Sequence, residues 1–550
     1  MMLTVDQVHN IINETNGLSV VESFGFDENG CLKGKMLTDT IPEADGLEWE
    51  VEISPSYPFK ALDAEPIRFV NRSLLDYPHI MEGGNLCMHP AEYDDTATQF
   101  VHDLEQLKEW VRRYYVEGEK DEHYEHLVVN HQPIENEYYT FCFAETAINF
   151  DDEDYGIVKY VMLLDGQRLR KRIRNGLVKE FVSHKQFKKR IIPCNIGQAY
   201  KQPNSFDGVY CLLKEPPATH GKFIIKKYGE LSKLLTQQQI DFIHTFEKSH
   251  KCDKGFFPLF CGYKIQNGEI HWQAMILFLD ELPIEAYRIG TGSHCEWHTK
   301  FKEGNIAWVQ TENVSYKHFF GRGAMDEALS AKKMLVMGIG AVGSMVAETL
   351  TRCGAKRITL FDFDEKEPGN VCRSEYHFFT GVTEKTAELE GKLIQISPHL
   401  ECDSLVSFVD CVFKAGNDNP VVIQELLNEF DIIFDCTTDN QLMRVLDSAS
   451  LSSQIVNLSI TNYAQDLVCA ISPNVTETVR LVYGLLGRDT ETDLYNPIGC
   501  WNPTFKASYN DIACQVQFAM KHLMRMLAGH EPIGSFYVNE NETELTINRI

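Results

Sequence analysis

No run in this sequence approaches the ~18 consecutive apolar residues that a membrane-spanning helix needs. The opening Met1–Asn10 does not read as a secretory signal. None of the 16 cysteines forms a C-x-x-C pair or joins the dense framework of small secreted domains; they read as separate, reduced thiols of a cytoplasmic chain. Positive charge is scarce as well. Lys and Arg number 52 against 79 Asp and Glu, a net charge of −27, which speaks against general nucleic-acid binding because phosphate attraction needs a basic surface. Internal repeats and low-complexity tracts are missing. Apolar residues are plentiful: at 43% hydrophobic over 550 residues the chain can bury several cores, so it is not intrinsically disordered. At roughly 150 residues per domain, it divides into about three or four domains.

Residues 1–120 carry an α+β pattern. Val5, Val8, Ile11 and Ile12 space out a short amphipathic helix. Leu18–Phe26, Cys31–Leu37 and Leu47–Ile53 read as strands, with Glu28-Asn29-Gly30 as a hairpin turn. A proline-rich irregular stretch, Ser54–Pro90, surrounds Cys87, and Phe100–Tyr115 reads as a helix with Phe100, Leu104, Leu107, Trp110 and Val111 on one face. Polar, acidic residues from about Glu117 mark a linker. Residues 121–315 mix strand-like runs (Gly156–Leu164, Lys222–Lys227, Ile270–Leu279) with a helical one (Ser232–Lys248), giving a mixed α/β connecting domain. Within it, Arg168–Arg190 holds ten Lys and Arg and a single acid, Glu180; it is either a solvated helix face or a docking surface for an acidic partner. His294-Cys295-Glu296-Trp297-His298 has a faint metal-ligand look but no second ligand pair.

From Lys332 strands and helices alternate. Met334–Met337 is a strand, Gly338–Cys353 a glycine loop opening a helix, and Ile358–Phe361 and Asp431–Phe434 are further strands. That rhythm predicts a Rossmann-like, doubly wound parallel sheet over 316–550. Gly338-Ile339-Gly340-Ala341-Val342-Gly343 has the spacing that lets helix-N-terminal amides approach a phosphate, and Asp362 ends the next strand where an acid can bond a ribose hydroxyl. A nicotinamide dehydrogenase would show as much. The later residues separate the cases: Asp364, Asn370 and Arg373, Lys385, and Asp439-Asn440. Cations that stabilise a triphosphate and a second carboxylate that can hold Mg²⁺ suit an adenylating enzyme rather than hydride transfer.

Glycine loop, D-x-D, N-x-x-R, lysine and late T-D-N together resemble the ThiF/MoeB and ubiquitin-activating superfamily. That resemblance implies an adenylation domain using ATP and Mg. It assigns Gly338, Gly340, Gly343, Asp362 and Asp364 to the nucleotide site, with ribose on Asp362. It places Asn370, Arg373 and Lys385 on the phosphates and Asp439 on magnesium. Arg322 sits where family members carry an arginine that reaches into a partner subunit's site. The family's G-x-x-K reads Val382-Thr383-Glu384-Lys385 here, with the glycine displaced to Gly381, and the zinc C-x-x-C pairs of simpler members are absent.

An acyl-adenylate can be captured by a thiolate as a thioester. Cys500 lies in Pro497-Ile498-Gly499-Cys500-Trp501-Asn502-Pro503-Thr504, a loop held out of helix by two prolines before a helix at Asn510–Leu527; the superfamily carries its thioester cysteine in such a crossover loop. Cys372, beside Arg373, competes, because a nearby cation lowers a thiol pKa, whereas Cys514 falls within the helix and is expected to pack. A second thiol, Cys87, closes a pattern that resembles a ubiquitin-conjugating domain: Tyr57-Pro58-Phe59-Lys60, Pro66-Ile67-Arg68-Phe69, Tyr77-Pro78-His79-Ile80 and Gly84-Asn85-Leu86-Cys87. Here His79 replaces the family's Asn, and its ring N–H can donate in that residue's place.

Conjugating module, connecting domain, activating module: the order resembles the bacterial activating–conjugating fusions of CBASS anti-phage operons. It implies a cytoplasmic homodimer built on the adenylation domains, with Cys500 passing an acyl group to Cys87. The partner would be a cGAS/DncV-like nucleotidyltransferase, joined by its C-terminal carboxylate to target-protein lysines, with no membrane and no direct nucleic acid involved. Two alternatives stay open: a sulfur-carrier activator of the ThiF type, and a non-catalytic scaffold that binds a nucleotidyltransferase through residues 168–190.

Overall fold

The computed structural model describes all residues except 1–2, 40–45, 61–64, 89–92, 94, 121–126, 128, 130–131, 147–149, 185–188, 247–254, 290–295, 406–419, 488–493, 496–503 and 542–543. At the N-terminus, Thr4 caps the helix Val5–Glu14: its Oγ1 accepts from Gln7 N (3.2 Å) while Gln7 Oε1 accepts from Thr4 N (2.9 Å). Val8 and Ile12 of that helix are fully buried in the same core as a four-stranded antiparallel meander, Leu18–Phe26, Leu32–Thr38, Leu47–Ile53 and Ile67–Val70. Leu47, Trp49, Val51 and Ile53 point inward and Glu48 and Glu50 outward, the period-2 alternation of a sheet with one wet face. The last strand lies inside the stretch expected to be irregular, because prolines and charges on either side mask the short Ile67, Phe69 alternation. The helix starts earlier than its apolar stripe suggests. Asp95 caps it by accepting from Thr98 N (2.8 Å), so it runs Thr96–Trp110 and then widens into a π-turn, Val111–Val116.

The middle unit is built on a mixed sheet in the order Ile270–Phe278, Phe256–Lys264, Phe206–Leu212, Tyr155–Met162, Lys171–Ser183, Tyr138–Phe143 and Gln310–Asn313. Phe256 and Phe260 face one core and Phe257, Leu259 and Cys261 the other, and the helix Gln237–Phe246 covers the second with Ile240, Ile243 and Phe246. The basic segment is therefore not a helix face. Its described residues lie mainly on the short strand Gly166–Arg168, the long Lys171–Ser183 and the start of Arg190–Pro193, since Leu177, Val178, Phe181 and Val182 supply buried strand formers. Two of its cations meet acids, Arg172 with Asp165 and Glu137 and Arg174 with Glu137, while its one acid, Glu180, meets Lys159 from outside the segment.

The C-terminal unit is an eight-stranded sheet. Glu401–Leu405, Arg357–Phe361, Lys333–Met337, Ile432–Asp435 and Gln454–Thr461 run parallel; Asp466–Ile471, Phe536–Asn541 and Glu544–Arg549 continue antiparallel. Met334 and Val336 pack on one face with the helices Ala341–Arg352, Lys385–Ile396 and Tyr509–Leu527, and Leu335 and Met337 on the other with Asn440–Ser448 and Val475–Leu486. The middle and C-terminal units join closely. Gly197 N donates to Pro398 O (2.7 Å) and Tyr200 Oη to Ile394 O (2.6 Å), while the His399 ring faces Asn195 O from Nδ1 (3.0 Å) and Val314 O from Nε2 (2.6 Å). Among the described residues, no helix is long and apolar enough to cross a membrane.

Candidate nucleotide site and candidate thiols

The strand Lys333–Met337 lies between Arg357–Phe361 and Ile432–Asp435. The chain order reverses there, and the crevice beyond the strands' carboxyl ends is where doubly wound sheets bind ligands. The glycine loop that follows is not uniform in its needs. Gly338 has φ +75, and a Cβ on it would stand 2.6 Å from Thr437 Cα; a Cβ on Gly343 would stand 2.2 Å from Gly338 O. Both are glycine because the fold itself leaves no room. Gly340 is different: a Cβ there meets no atom within 4 Å. It caps the helix Ala341–Arg352 and faces open space.

Around the loop the structure ties together three residues named from sequence. Asp362 accepts from Ile339 N through Oδ2 (3.0 Å) and from Asp364 N through Oδ1 (2.9 Å). Lys385, first residue of its helix, sets Nζ 2.8 Å from Asp364 Oδ2 and 3.8 Å from Asp362 Oδ1. Burial pushes the Asp362 carboxyl above the usual range, and the Lys385 ammonium offsets only part of that. Asn370 spends Oδ1 on Glu367 N (2.9 Å), closing the turn Pro368–Arg373 that ends in half-exposed Arg373. Asp439 is exposed and caps the helix Asn440–Ser448, with Oδ1 accepting from Gln441 N (2.7 Å) and Leu442 N (3.3 Å). Its Oδ2 takes no hydrogen bond among the described residues, which leaves one hard oxygen of the type magnesium prefers. Arg322 lies in an exposed turn after the helix Tyr316–Phe319.

Other residues shape the site without having been singled out. Fully buried Asp435 accepts from Thr437 Oγ1 (2.7 Å) and Asn457 Nδ2 (2.9 Å), fixing the turn that presses Thr437 on Gly338. Tyr376 Oη donates to Ile339 O (2.5 Å) beneath the loop. Lys366 is fully buried, 2.7 Å from Glu388 Oε2 and bonded to His377 O (2.8 Å) and Thr380 Oγ1 (2.6 Å), so it anchors the segment between Arg373 and Lys385. Asp435 stands just ahead of the late Thr438-Asp439-Asn440 motif and has no spacing signal of its own, and a lysine in a two-residue strand carries none.

Cys500 lies outside the described residues. Cys514 does not pack as expected: it is exposed on the helix Tyr509–Leu527, whose buried side carries Ile512, Gln515, Val516, Ala519 and Leu523. Exposed Cys372 donates Sγ–H to Gly369 O (3.3 Å). Exposed Cys87 follows a tightly laced segment. Leu86 N donates to Phe69 O (2.8 Å) and Cys87 N to His79 O (2.7 Å), and the His79 ring meets Tyr114 Oη at 3.1 Å. His79 holds φ +59, and its ring is engaged with Tyr114 as its carbonyl holds Cys87. Burial and then Glu65 push the Cys87 thiol up, with Lys60 pulling the other way.

Over 240 residues the chain is 25% identical to the ATP-dependent ubiquitin transferase-like protein Cap2 of Enterobacter hormaechei, spanning 42% of this chain and 39% of that protein. It is 29% identical over 122 residues to the molybdopterin-synthase adenylyltransferase of Haemophilus influenzae, spanning 22% of this chain and 46% of that one. With the ubiquitin-like modifier-activating enzyme 5 of Xenopus laevis it shares 26% over 184 residues, spanning 31% and 44%. The chain thus spans less than half the length of these curated relatives. The glycine loop, Asp362, Asp364, Lys385 and Asp439 all fall within residues 312–539, the part of this chain that matches the ThiF family.

Proposed function

We propose that residues 316–550 adenylate a protein's C-terminal carboxylate with ATP, and that the chain then carries the acyl group on cysteine to a lysine amine. The observation that carries the first half is Gly340: its neighbours need glycine for internal reasons, whereas its own Cβ would fill only the space a phosphate approaches. Asp362 bonds the ribose, and Asn370, Arg373 and Lys385 hold the phosphates, the Lys385 ammonium exchanging Asp364 for a phosphate oxygen. Magnesium, when bound, offsets phosphate charge, and Asp439 would hold it through Oδ2.

The tail carboxylate oxygen bonds to the α-phosphorus as the bond to the β-phosphate breaks and pyrophosphate leaves. Cys500 thiolate attacks the acyl carbon and AMP departs; Cys87 thiolate displaces Cys500; a lysine amine displaces Cys87 and loses a proton, leaving an isopeptide bond. The ATP-dependent ubiquitin transferase-like relative supports an ATP-driven transfer of this kind. In this reading the tail belongs to a cGAS/DncV-like nucleotidyltransferase, two copies pair through their adenylation domains, and the work is anti-phage defence in a bacterial cytoplasm. The test is a non-reducing gel of the full chain with Mg·ATP and the nucleotidyltransferase encoded beside it. Wild type forms ATP-dependent, thiol-sensitive adducts, Cys87→Ala keeps the Cys500 adduct without conjugate, and Asp439→Ala forms neither. Conjugation that survives Cys87→Ala removes the relay; pyrophosphate exchange without any adduct favours sulfur-carrier activation.

A further inference from the structure

The middle unit reaches into the segment that holds Cys87. Its hairpin pairs Ala218–Thr219 with Phe223–Ile224, and the tip between them, 220–222, turns through His220 and Gly221 at φ +52 and +71. The hairpin's base is fixed: Phe223, Ile224 and Ile225 are buried, and Trp308 Nε1 donates to Ile225 O (2.6 Å). At the tip, His220 Nδ1 lies 2.7 Å from Asp76 Oδ1 and Lys222 Nζ donates to Tyr77 O; beyond the hairpin, Lys226 pairs with Glu82.

Two of these contacts land on Asp76 and Tyr77, the first half of the run Asp76–His79, whose second half the N-terminal unit grips. Asp76 meets His220 and the Tyr77 carbonyl meets Lys222. The Pro78 carbonyl accepts from Trp110 Nε1 (2.9 Å), the His79 ring meets Tyr114, and the His79 carbonyl accepts from Cys87 N (2.7 Å). The contacts are unequal. His220–Asp76 and Lys226–Glu82 join exposed side chains, and such pairs contribute little. Lys222 is half-buried, and its charge-assisted bond goes to main chain, so it restrains the backbone itself.

We propose that Lys222 is a positioning residue for the Cys87 thiol: delivered by a hairpin rooted in the middle unit, it fixes Asp76–His79 and, through the His79 carbonyl, the Cys87 backbone. The inference rests on the proposed acyl transfer to Cys87. It gives the middle unit a task in the relay, presenting the Cys87 loop in one orientation.

The test compares Lys222→Met, which removes the donor, with Lys222→Arg, which keeps one, in the full chain. Amide exchange over Tyr77–Cys87, read by mass spectrometry, needs neither ATP nor partner. Lys222→Met is expected to speed it about tenfold, Lys222→Arg to stay within about twofold, and Leu47–Ile53 to be unchanged in both. Unchanged exchange over Tyr77–Cys87 in Lys222→Met overturns the proposal. So does equal loosening in Lys222→Arg, and so does lost protection over Leu47–Ile53, which would make Lys222 a folding residue. With Mg·ATP and the neighbouring nucleotidyltransferase, acylation of Cys87 should slow about tenfold in Lys222→Met and recover in Lys222→Arg, with pyrophosphate exchange unchanged. Absence of any Cys87 adduct in the wild type defeats the proposed relay and leaves the exchange result to judge the restraint.

Discussion

Three alanine substitutions in one loop should separate what the fold needs from what a ligand needs. In Gly338→Ala the new Cβ meets the Thr437 main chain at 2.6 Å, on a backbone at φ +75. Left-handed strain of about 1–2 kcal/mol and overpacking of about 1–3 kcal/mol add to a loss of about 2–5 kcal/mol. In Gly343→Ala the Cβ meets Gly338 O at 2.2 Å, an overpacking cost of about 1–3 kcal/mol that the better helix propensity of alanine, worth about 1 kcal/mol, offsets in part. Gly340→Ala meets nothing within 4 Å and loses only the small advantage of glycine over alanine at an N-cap, about 1 kcal/mol or less. Amide exchange of the strand Lys333–Met337 under increasing urea reports this unit without the other two, and titration with a fluorescent ATP analogue reports the site. The expected pattern is inverse: Gly340→Ala is the most stable of the three yet binds nucleotide at least about tenfold more weakly than wild type, because a methyl stands where phosphate must approach the amides. Wild-type affinity in Gly340→Ala would refute the phosphate cradle, and wild-type stability in Gly338→Ala would refute the packing argument.

Further outcomes follow from single groups. Lys366→Met leaves Glu388, its side chain 5% exposed, without its buried cation, and should cost about 3–5 kcal/mol in urea denaturation, most of it recovered by adding Glu388→Leu. Asp439→Asn keeps an N-cap acceptor while removing the charge, so it should match wild-type stability but lose pyrophosphate exchange; Asp439→Ala should lose both exchange and about 1 kcal/mol. Burial and Glu65 raise the Cys87 thiol, so its thiolate forms at higher pH than that of an ordinary thiol. Iodoacetamide labelling should therefore stay slow at neutral pH and climb at higher pH, and Glu65→Gln should move that rise down.

What the sequence made legible is local. The glycine loop, Asp362, Asp364 and Lys385 announce themselves by spacing along the chain, and the structure links them by bonds of one residue to the next element. Asp435, Tyr376 and Lys366 stay silent, because their importance comes from burial created by distant segments. The strand Lys171–Ser183 shows a different failure: charge counted along a segment says nothing of period, and the inward-facing Phe181 and Val182 decide its conformation. Helix ends shifted toward their caps, as at Asp95, because an apolar stripe begins only where the helix meets the core. Membership of a helix does not by itself bury Cys514, because a helix has an outer side as well.

Anyone who isolates the C-terminal unit by cutting near residue 316 will meet His399. The residue is 8% exposed, and both carbonyls its ring faces, Asn195 O and Val314 O, belong to chain that such a fragment discards. Gly197 and Tyr200, which seal the same seam, go with them. The excised fragment would bare a polar seam and the rings of Tyr316, Phe319 and Phe320 packed around that histidine. A cut placed before the middle unit preserves every one of those partners, so the natural working piece for biochemistry on the adenylation half begins near residue 134, not near 316.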